Sequence, residues 1–263
     1  MTSHKIYIGD CTKTMKMLPA ASIDFVLTDP PYNVSSDLKI VMKNHPNHPN
    51  ENDRELCYDF GEWDKFESDD DYLKFTEKWI SECYHILKPS GNLVTFFNNW
   101  LIGDLKRMWE NLGGRARQKI YWHKTNPKPR LRKVDFQQSV EELFWGAKSK
   151  HKHTFNYGLG QHHNLVESAV FYNSERCGHP NQKPERILVP LIKYLSNEGD
   201  TIFDPFWGVG TTTVVAQKLG RNSIGIEINP EYVETAKKRL RIDEQLTDGA
   251  TYEFIKLEND QIK

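Results

Sequence analysis

Short apolar runs, each closed by a turn signal, alternate along this chain with longer stretches of helical periodicity. Residues 5–9 alternate apolar and polar and end in Gly9-Asp10. Residues 14–18 read as one or two helical turns, and the nearly unbroken apolar run 23–28 reads as a buried strand. Ser68 then caps a helix with acids in its first turn and Tyr72, Phe75, Trp79, Cys83 and Ile86 on one stripe. Lys88-Pro89-Ser90-Gly91 stops it. Beyond lie a strand at 92–97, a helix at 101–112, strands at 119–123 and 140–145, and a helix at 185–195. A strand at 201–203, a loop and helix over 208–219, a strand at 223–227 and a helix at 231–240 opened by Asn229-Pro230 complete the series. Strands alternating with helices predict a mostly parallel sheet. Residues 34–67 and 151–173 lack clean periodicity; the first is expected to be a long loop, a candidate lid.

The strand at 23–28 runs into Asp29-Pro30-Pro31-Tyr32. Two prolines neither continue a sheet ladder nor begin a helix smoothly, so they fix a stiff turn at a strand end, where open α/β sheets place their ligands. The turn offers a carboxylate, a backbone carbonyl and an aromatic face. A planar base with an exocyclic amino group needs that set: acceptors for the amino hydrogens and a ring to stack on.

Composition changes this picture little. The chain has 263 residues, 38% hydrophobic and 27% charged, enough for one large domain or one domain with an inserted module. No apolar stretch reaches membrane-span length, so no membrane partner is expected. Cys11, Cys57, Cys83 and Cys177 show no CxxC spacing and read as free thiols of a reducing cytosol. The histidine groups His45/His48, His151/His153 and His162/His163 lie in loops without supporting Cys or paired acids, and no metal is expected. Net charge is −1, which argues mildly against nucleic acid, yet charge is unevenly spread. Residues 51–71 are strongly acidic, whereas Arg115, Arg117, Lys119, Lys124, Lys128, Arg130, Arg132 and Lys133 stand in a run without a single acid. A basic footprint can therefore be local.

A second constellation is Thr201-Ile202-Phe203-Asp204-Pro205-Phe206-Trp207-Gly208-Val209-Gly210-Thr211-Thr212. A strand ends, the chain turns through two glycines, and a helix starts. Glycines let a ligand approach the backbone, and the helix N-terminus offers N–H groups to an anion. The next strand ends at Glu227, about where a ribose-binding acid is expected. Alone, this is a nucleoside-cofactor signature that also admits a dinucleotide.

Together the two constellations resemble those of the amino-methylating DNA methyltransferases. Asp29-Pro30-Pro31-Tyr32 is similar to their motif IV, and the segment from Asp204 to Thr212 to motif I, which binds S-adenosylmethionine. His179-Pro180-Asn181-Gln182-Lys183-Pro184 resembles a further family segment, with Asn181 for Thr. Motif IV precedes motif I with the basic region between, an order that looks like the circularly permuted β class. The resemblance implies a Rossmann-like, seven-stranded mixed sheet with helices on both faces and one antiparallel strand near an edge. It divides the chain into a catalytic half (1–114, with the loop insertion at 34–67), a target-recognition region (115–175) and a cofactor-binding half (176–263) within one globular catalytic domain.

For the site the resemblance implies direct methyl transfer from S-adenosylmethionine to a base amino nitrogen. Asp29, Pro30, Pro31 and Tyr32 would be the catalytic tetrapeptide, with Tyr32 stacking on a base extruded from the duplex. Cofactor contacts would come from Asp10, Cys11, Asp29, Lys183, Asp204, Phe206, Gly208, Gly210, Thr211, Thr212 and Glu227. Lys124, Lys128, Arg130, Arg132 and Lys133 are the candidate DNA contacts. Double-stranded DNA is the expected partner, with a homodimer and a cognate restriction endonuclease as candidates, in the cytoplasm of a bacterium or archaeon or on a phage nucleoid. Asp at the head of motif IV favours adenine N6. Cytosine N4, RNA, a protein amide and a non-catalytic DNA-binding module stay open.

Overall fold

The computed structural model describes residues 1–33, 66–127, 134, 136–170, 175, 177, 182–242 and 249–257, together with the strands at 39–42 and 54–57. It divides into two compact units, Met1–Pro30 with Thr76–Lys263, and Pro31–Phe75. The boundary falls inside the Asp29–Tyr32 tetrapeptide.

The larger unit holds the main sheet. Its strands are β1 (Ser3–Ile8), β2 (Ile23–Thr28), β5 (Leu87–Phe96), β6 (Arg115–Lys124), β7 (Val140–Ala147), β8 (Leu165–Ser168), β9 (Thr201–Asp204), β10 (Asn222–Glu227) and β11 (Thr251–Lys256). They stand in the order β11-β1-β10-β9-β2-β5-β7-β6-β8. Only β7 runs against its neighbours, pairing antiparallel with both β5 and β6. The sheet thus has nine strands, not the seven expected: β11 and β8 each add one at an edge. Both lie in segments that the sequence pattern left without a strand, and both are short edge strands whose side chains are only partly buried.

Both faces of the sheet centre are covered, because Phe25, Val26, Leu27 and Thr28 are buried in succession along β2. Among the helices are α1 (Cys11–Thr14), α3 (Ile102–Asn111), α4 (Glu185–Leu195), α5 (Thr211–Lys218) and α6 (Pro230–Arg239). On α4, Ile187, Leu188, Leu191, Ile192 and Leu195 form one buried stripe. Asn229 caps α6 by accepting from the Glu231 N–H at 2.9 Å, with Pro230 at the first helical position. Among the described residues no helix is long and apolar enough to cross a membrane.

The smaller unit contains the antiparallel hairpin β3 (Lys39–Met42) with β4 (Arg54–Cys57), where a loop was expected. It also holds the first turns of α2 (Asp69–Ile86). Tyr72 donates to the Pro31 carbonyl at 2.8 Å and packs edge-on to Phe66.

One packing detail ties β10 to the site. Trp207 is buried, donates its indole N–H to Thr213 Oγ1 at 2.7 Å, and lies so close to Gly225 that an added Cβ would sit 2.3 Å from its Cδ1. Gly225→Ala therefore forces either the indole or the strand to move. We expect it to lower stability by about 1–3 kcal/mol, read as a drop in Tm.

Candidate active site

Four carboxylates line the carboxyl ends of four adjacent parallel strands. In sheet order they are Asp10 after β1, Glu227 ending β10, Asp204 ending β9 and Asp29 after β2. The β9–β2 boundary is where the chain departs to opposite sides, the place where an open α/β sheet leaves a crevice. Asp10 caps α1, its Oδ1 accepting from the Thr12 N–H (2.8 Å) and hydroxyl (2.7 Å). The Gly9 N–H donates to the Glu227 carbonyl at 2.9 Å, which aligns the two strand ends.

Glu227 holds two loops at once. Its Oε2 accepts from the Gly208 N–H at 2.7 Å and its Oε1 from the Asn229 N–H at 2.8 Å. It is 7% exposed, and burial pushes its carboxyl up to about 7 against the pull of those N–H groups. Each oxygen keeps acceptor capacity beyond the one N–H it binds.

Asp204 organises the glycine turn. Its Oδ1 accepts from Thr28 Oγ1 (2.7 Å) and the Phe206 N–H (3.1 Å), and its Oδ2 from Thr212 Oγ1 (2.7 Å). Burial raises its carboxyl to about 6, opposed by these donors. Gly208 (φ 56°) and Gly210 (φ 76°) take the left-handed conformation that glycine adopts without strain. Gly210 is the cap of α5, and a Cβ there would press on Trp207 at 2.9 Å. Thr211 accepts from Arg239 at 2.7 Å, so the hydroxyls of Thr211 and Thr212 both brace the turn. Phe206 is half-buried and meets Trp79 edge-on at 5.7 Å. Cys11 is buried and its thiol is pushed up to about 12 by burial and then by Asp10, which leaves it protonated and inert.

Asp29 belongs to a chain of alternating charges. Lys183 Nζ lies 2.8 Å from Asp29 Oδ2 and 3.5 Å from Glu141 Oε2, and Glu141 Oε1 meets Lys124 Nζ at 2.6 Å. Lys183 is 9% exposed and stands 4.8 Å above the Phe96 ring. Burial alone would lower its pKa, but Asp29 and Glu141 outweigh it and the net shift is upward. For Glu141 the balance is the mirror image: burial raises it, Lys183 and Lys124 overcome that, and the carboxylate is held below its ordinary range. The 3.5 Å contact is an ion pair rather than a hydrogen bond, and Glu141 Oε2 has no hydrogen-bond partner.

Of the five candidate DNA contacts, Lys124 is turned inward, its side chain 15% exposed against Glu141 and Trp122. Lys128, Arg130, Arg132 and Lys133 lie outside the described residues. Pro30 is buried at the end of the larger unit; Pro31 and Tyr32 belong to the smaller one, where Tyr32 is half-buried. Glu141 was not among the residues singled out by sequence. Its signal was an acid pair, Glu141-Glu142, heading an apolar strand inside a basic region.

The family model for DNA methylases of the N6/N4 type matches residues 23–238, most of the chain. The chain belongs to the N6/N4 DNA methylase family. This methylase is 35% identical over 254 residues to the Type II methyltransferase M.HinfI of Haemophilus influenzae, covering 89% of this chain and 67% of that one. It is 33% identical over 254 residues to the Type II methyltransferase M2.DpnII of Streptococcus pneumoniae, covering 90% and 89%. Among solved structures it is similar to a complex of M1.HpyAVI with SAM (TM-score 0.69, 28% identity, 90% and 98% covered). It shares its fold with the cytosine-N4-specific PvuII DNA methyltransferase (TM-score 0.71, 20% identity, 96% of each chain).

Methylases of this family depend on S-adenosylmethionine and act on DNA. That cofactor presents ribose hydroxyls, an ammonium, a sulfonium and an adenine amino group, which are hydrogen-bond donors or positive charges. The strand ends of this methylase offer a row of carboxylates and a glycine turn whose backbone is open to close approach, so the residues fit the group.

Proposed function

We propose that this methylase transfers a methyl group to the N6 amino nitrogen of adenine in double-stranded DNA, with the target base turned out of the helix. The observation that carries the reading is the Asp29 carboxylate, set at the end of β2 beside the glycine turn and gripped by Lys183. Asp rather than Ser at this position supports adenine over cytosine.

In this reading Asp29 and the Pro30 carbonyl accept the target's amino hydrogens. That draws the nitrogen lone pair out of conjugation with the ring, and positioning and electrostatics supply most of the rate. Pro31 stiffens the turn, and Tyr32 gives the base a stacking face. Glu227 takes the ribose hydroxyls, Asp10 and Cys11 border the adenine, and Phe206, Gly208, Gly210 and Thr211 line the cofactor, braced by Asp204 and Thr212. Bound there, S-adenosylmethionine supplies an electrophilic methyl group on sulfur.

The loop joining β6 to β7 opens at the same strand-end edge as Asp29, because β6 ends and antiparallel β7 begins there. Lys128, Arg130, Arg132 and Lys133 on that loop would contact phosphates, with Lys124 at its root. The relatives named Type II methyltransferases support a setting with a cognate restriction endonuclease.

Incubating the purified protein with unmethylated DNA and S-adenosylmethionine, then analysing the digested nucleosides by mass, tests the reading. N6-methyladenine is the expected product. N4-methylcytosine would keep the machinery and change the base; an unmodified digest from a protein that binds the cofactor would overturn the assignment to DNA.

A further inference from the structure

The cofactor and target chemistry discussed so far leaves Glu141 without a task, yet its placement is costly. It is the second residue of β7, its carboxylate is kept ionised in a largely buried position, and one oxygen has no hydrogen-bond partner among the described residues. A buried carboxylate in that state is stabilised, among the described residues, by the two ammonium groups beside it. One of them, Lys124 at 2.6 Å, comes from the neighbouring strand end; the other, Lys183 at 3.5 Å, is already bound to Asp29. The four charges sum to zero, so the chain can be buried as a neutral unit. Lys183 is its pivot: burial favours loss of its proton, and the carboxylates of Asp29 and Glu141 outweigh that and keep it charged.

We propose that Glu141 is a positioning residue for methyl transfer, holding the Lys183 ammonium beside Asp29 and dividing its charge between two carboxylates. This rests on the reading of Asp29 as the group that receives the target's amino hydrogens. An ammonium committed to Asp29 alone would pull on that carboxylate harder and weaken it as an acceptor at the moment positive charge develops on the target nitrogen. Glu141 draws part of that pull away and fixes where the ammonium sits. Lys124 in turn anchors Glu141, which gives a physical reason for its inward placement at the root of the basic loop.

Single-turnover methylation at saturating DNA and cofactor tests this in Glu141→Gln, Glu141→Asp and Asp29→Asn. Glu141→Gln is expected to lower the rate about 10- to 100-fold, a loss of the size that misplaced catalytic groups give. KM for DNA and Kd for S-adenosylhomocysteine should stay within about threefold. Glu141→Asp keeps the charge on a shorter arm and should recover to within about tenfold of the native rate. A native rate in Glu141→Gln overturns the proposal, as does cofactor affinity falling in parallel with the rate. If Glu141→Gln does not fold, Glu141→Ala takes its place, and a native rate there overturns the proposal equally. Asp29→Asn separates the two ideas. If it stays fully active, the reading of Asp29 falls and takes this proposal with it. If it is crippled while Glu141→Gln is not, only the role of Glu141 falls.

Discussion

Replacing Asp29 with alanine is expected to lower the single-turnover methylation rate by about 10²- to 10⁴-fold. Two effects combine. The target nitrogen loses the acceptor that holds its hydrogens, and the Lys183 ammonium loses the nearer of its two carboxylates, 2.8 Å away. The second effect has its own signature. Removing one partner of a buried ion pair costs about 3–5 kcal/mol when the remaining charge is not relieved, so Tm falls as well. Lysine escapes part of that cost by shedding its proton. Asp29→Ala should therefore be less destabilised at pH 9 than at pH 7, with no recovery of rate. Thermal melts and rapid-quench assays at the two pH values check both halves; a rate within tenfold of native removes Asp29 from the chemistry.

Cofactor affinity is expected to rise about tenfold from pH 6 to pH 8 and to fall about 100-fold in Glu227→Ala. Burial has pushed the Glu227 carboxyl up to about 7, so roughly a tenth of it is ionised at pH 6 and nine-tenths at pH 8. The ionised form is the better acceptor for ribose hydroxyls. Stability of the cofactor-free protein runs the other way. An unfolded glutamate releases its proton near 4.5 while the folded one retains it to about 7, so folding becomes less favourable as pH rises between those values and levels off above. Asp204, raised to about 6, adds a loss of the same sign that ends lower. Titration calorimetry with S-adenosylhomocysteine across pH 6–8, alongside melts of the ligand-free protein, reads both slopes. A flat affinity profile would remove Glu227 from the binding site.

The parts of this architecture visible in sequence are those with strong local chemistry. The buried run of β2, the stop at Asp29-Pro30, the glycine turn after Asp204 and the Asn229-Pro230 cap each follow from backbone restrictions of single residues. The edge strands β8 and β11 do not: Leu165–Ser168 and Thr251–Lys256 are short and only partly apolar, and they pair because a neighbour's edge is available. The β3–β4 hairpin was hidden the same way, in an acidic, asparagine-rich stretch. At the site, the glycines and terminal acids were legible because their spacing is local. Glu141 was not, since its significance lies in Lys183, 42 positions on (183 − 141), and in Lys124, which its place in the basic run assigned to DNA. Charge in a sequence carries no record of which side of a strand it faces.

The place of β1 has a consequence for how the protein is made. Its two sheet neighbours are β10 and β11, and its His4 meets Ser223 across 219 positions of chain. Among the described strands β1 precedes every other along the chain, and both of its partners follow every other. When β8 has emerged, β1 and β2 still have no ladder between them, because the two places separating them belong to β10 and β9. Closing so long a loop is entropically slow, and until then both edges of β1 stand open to strangers. The two ladders that seat β1 can close only once β10 and β11 are available.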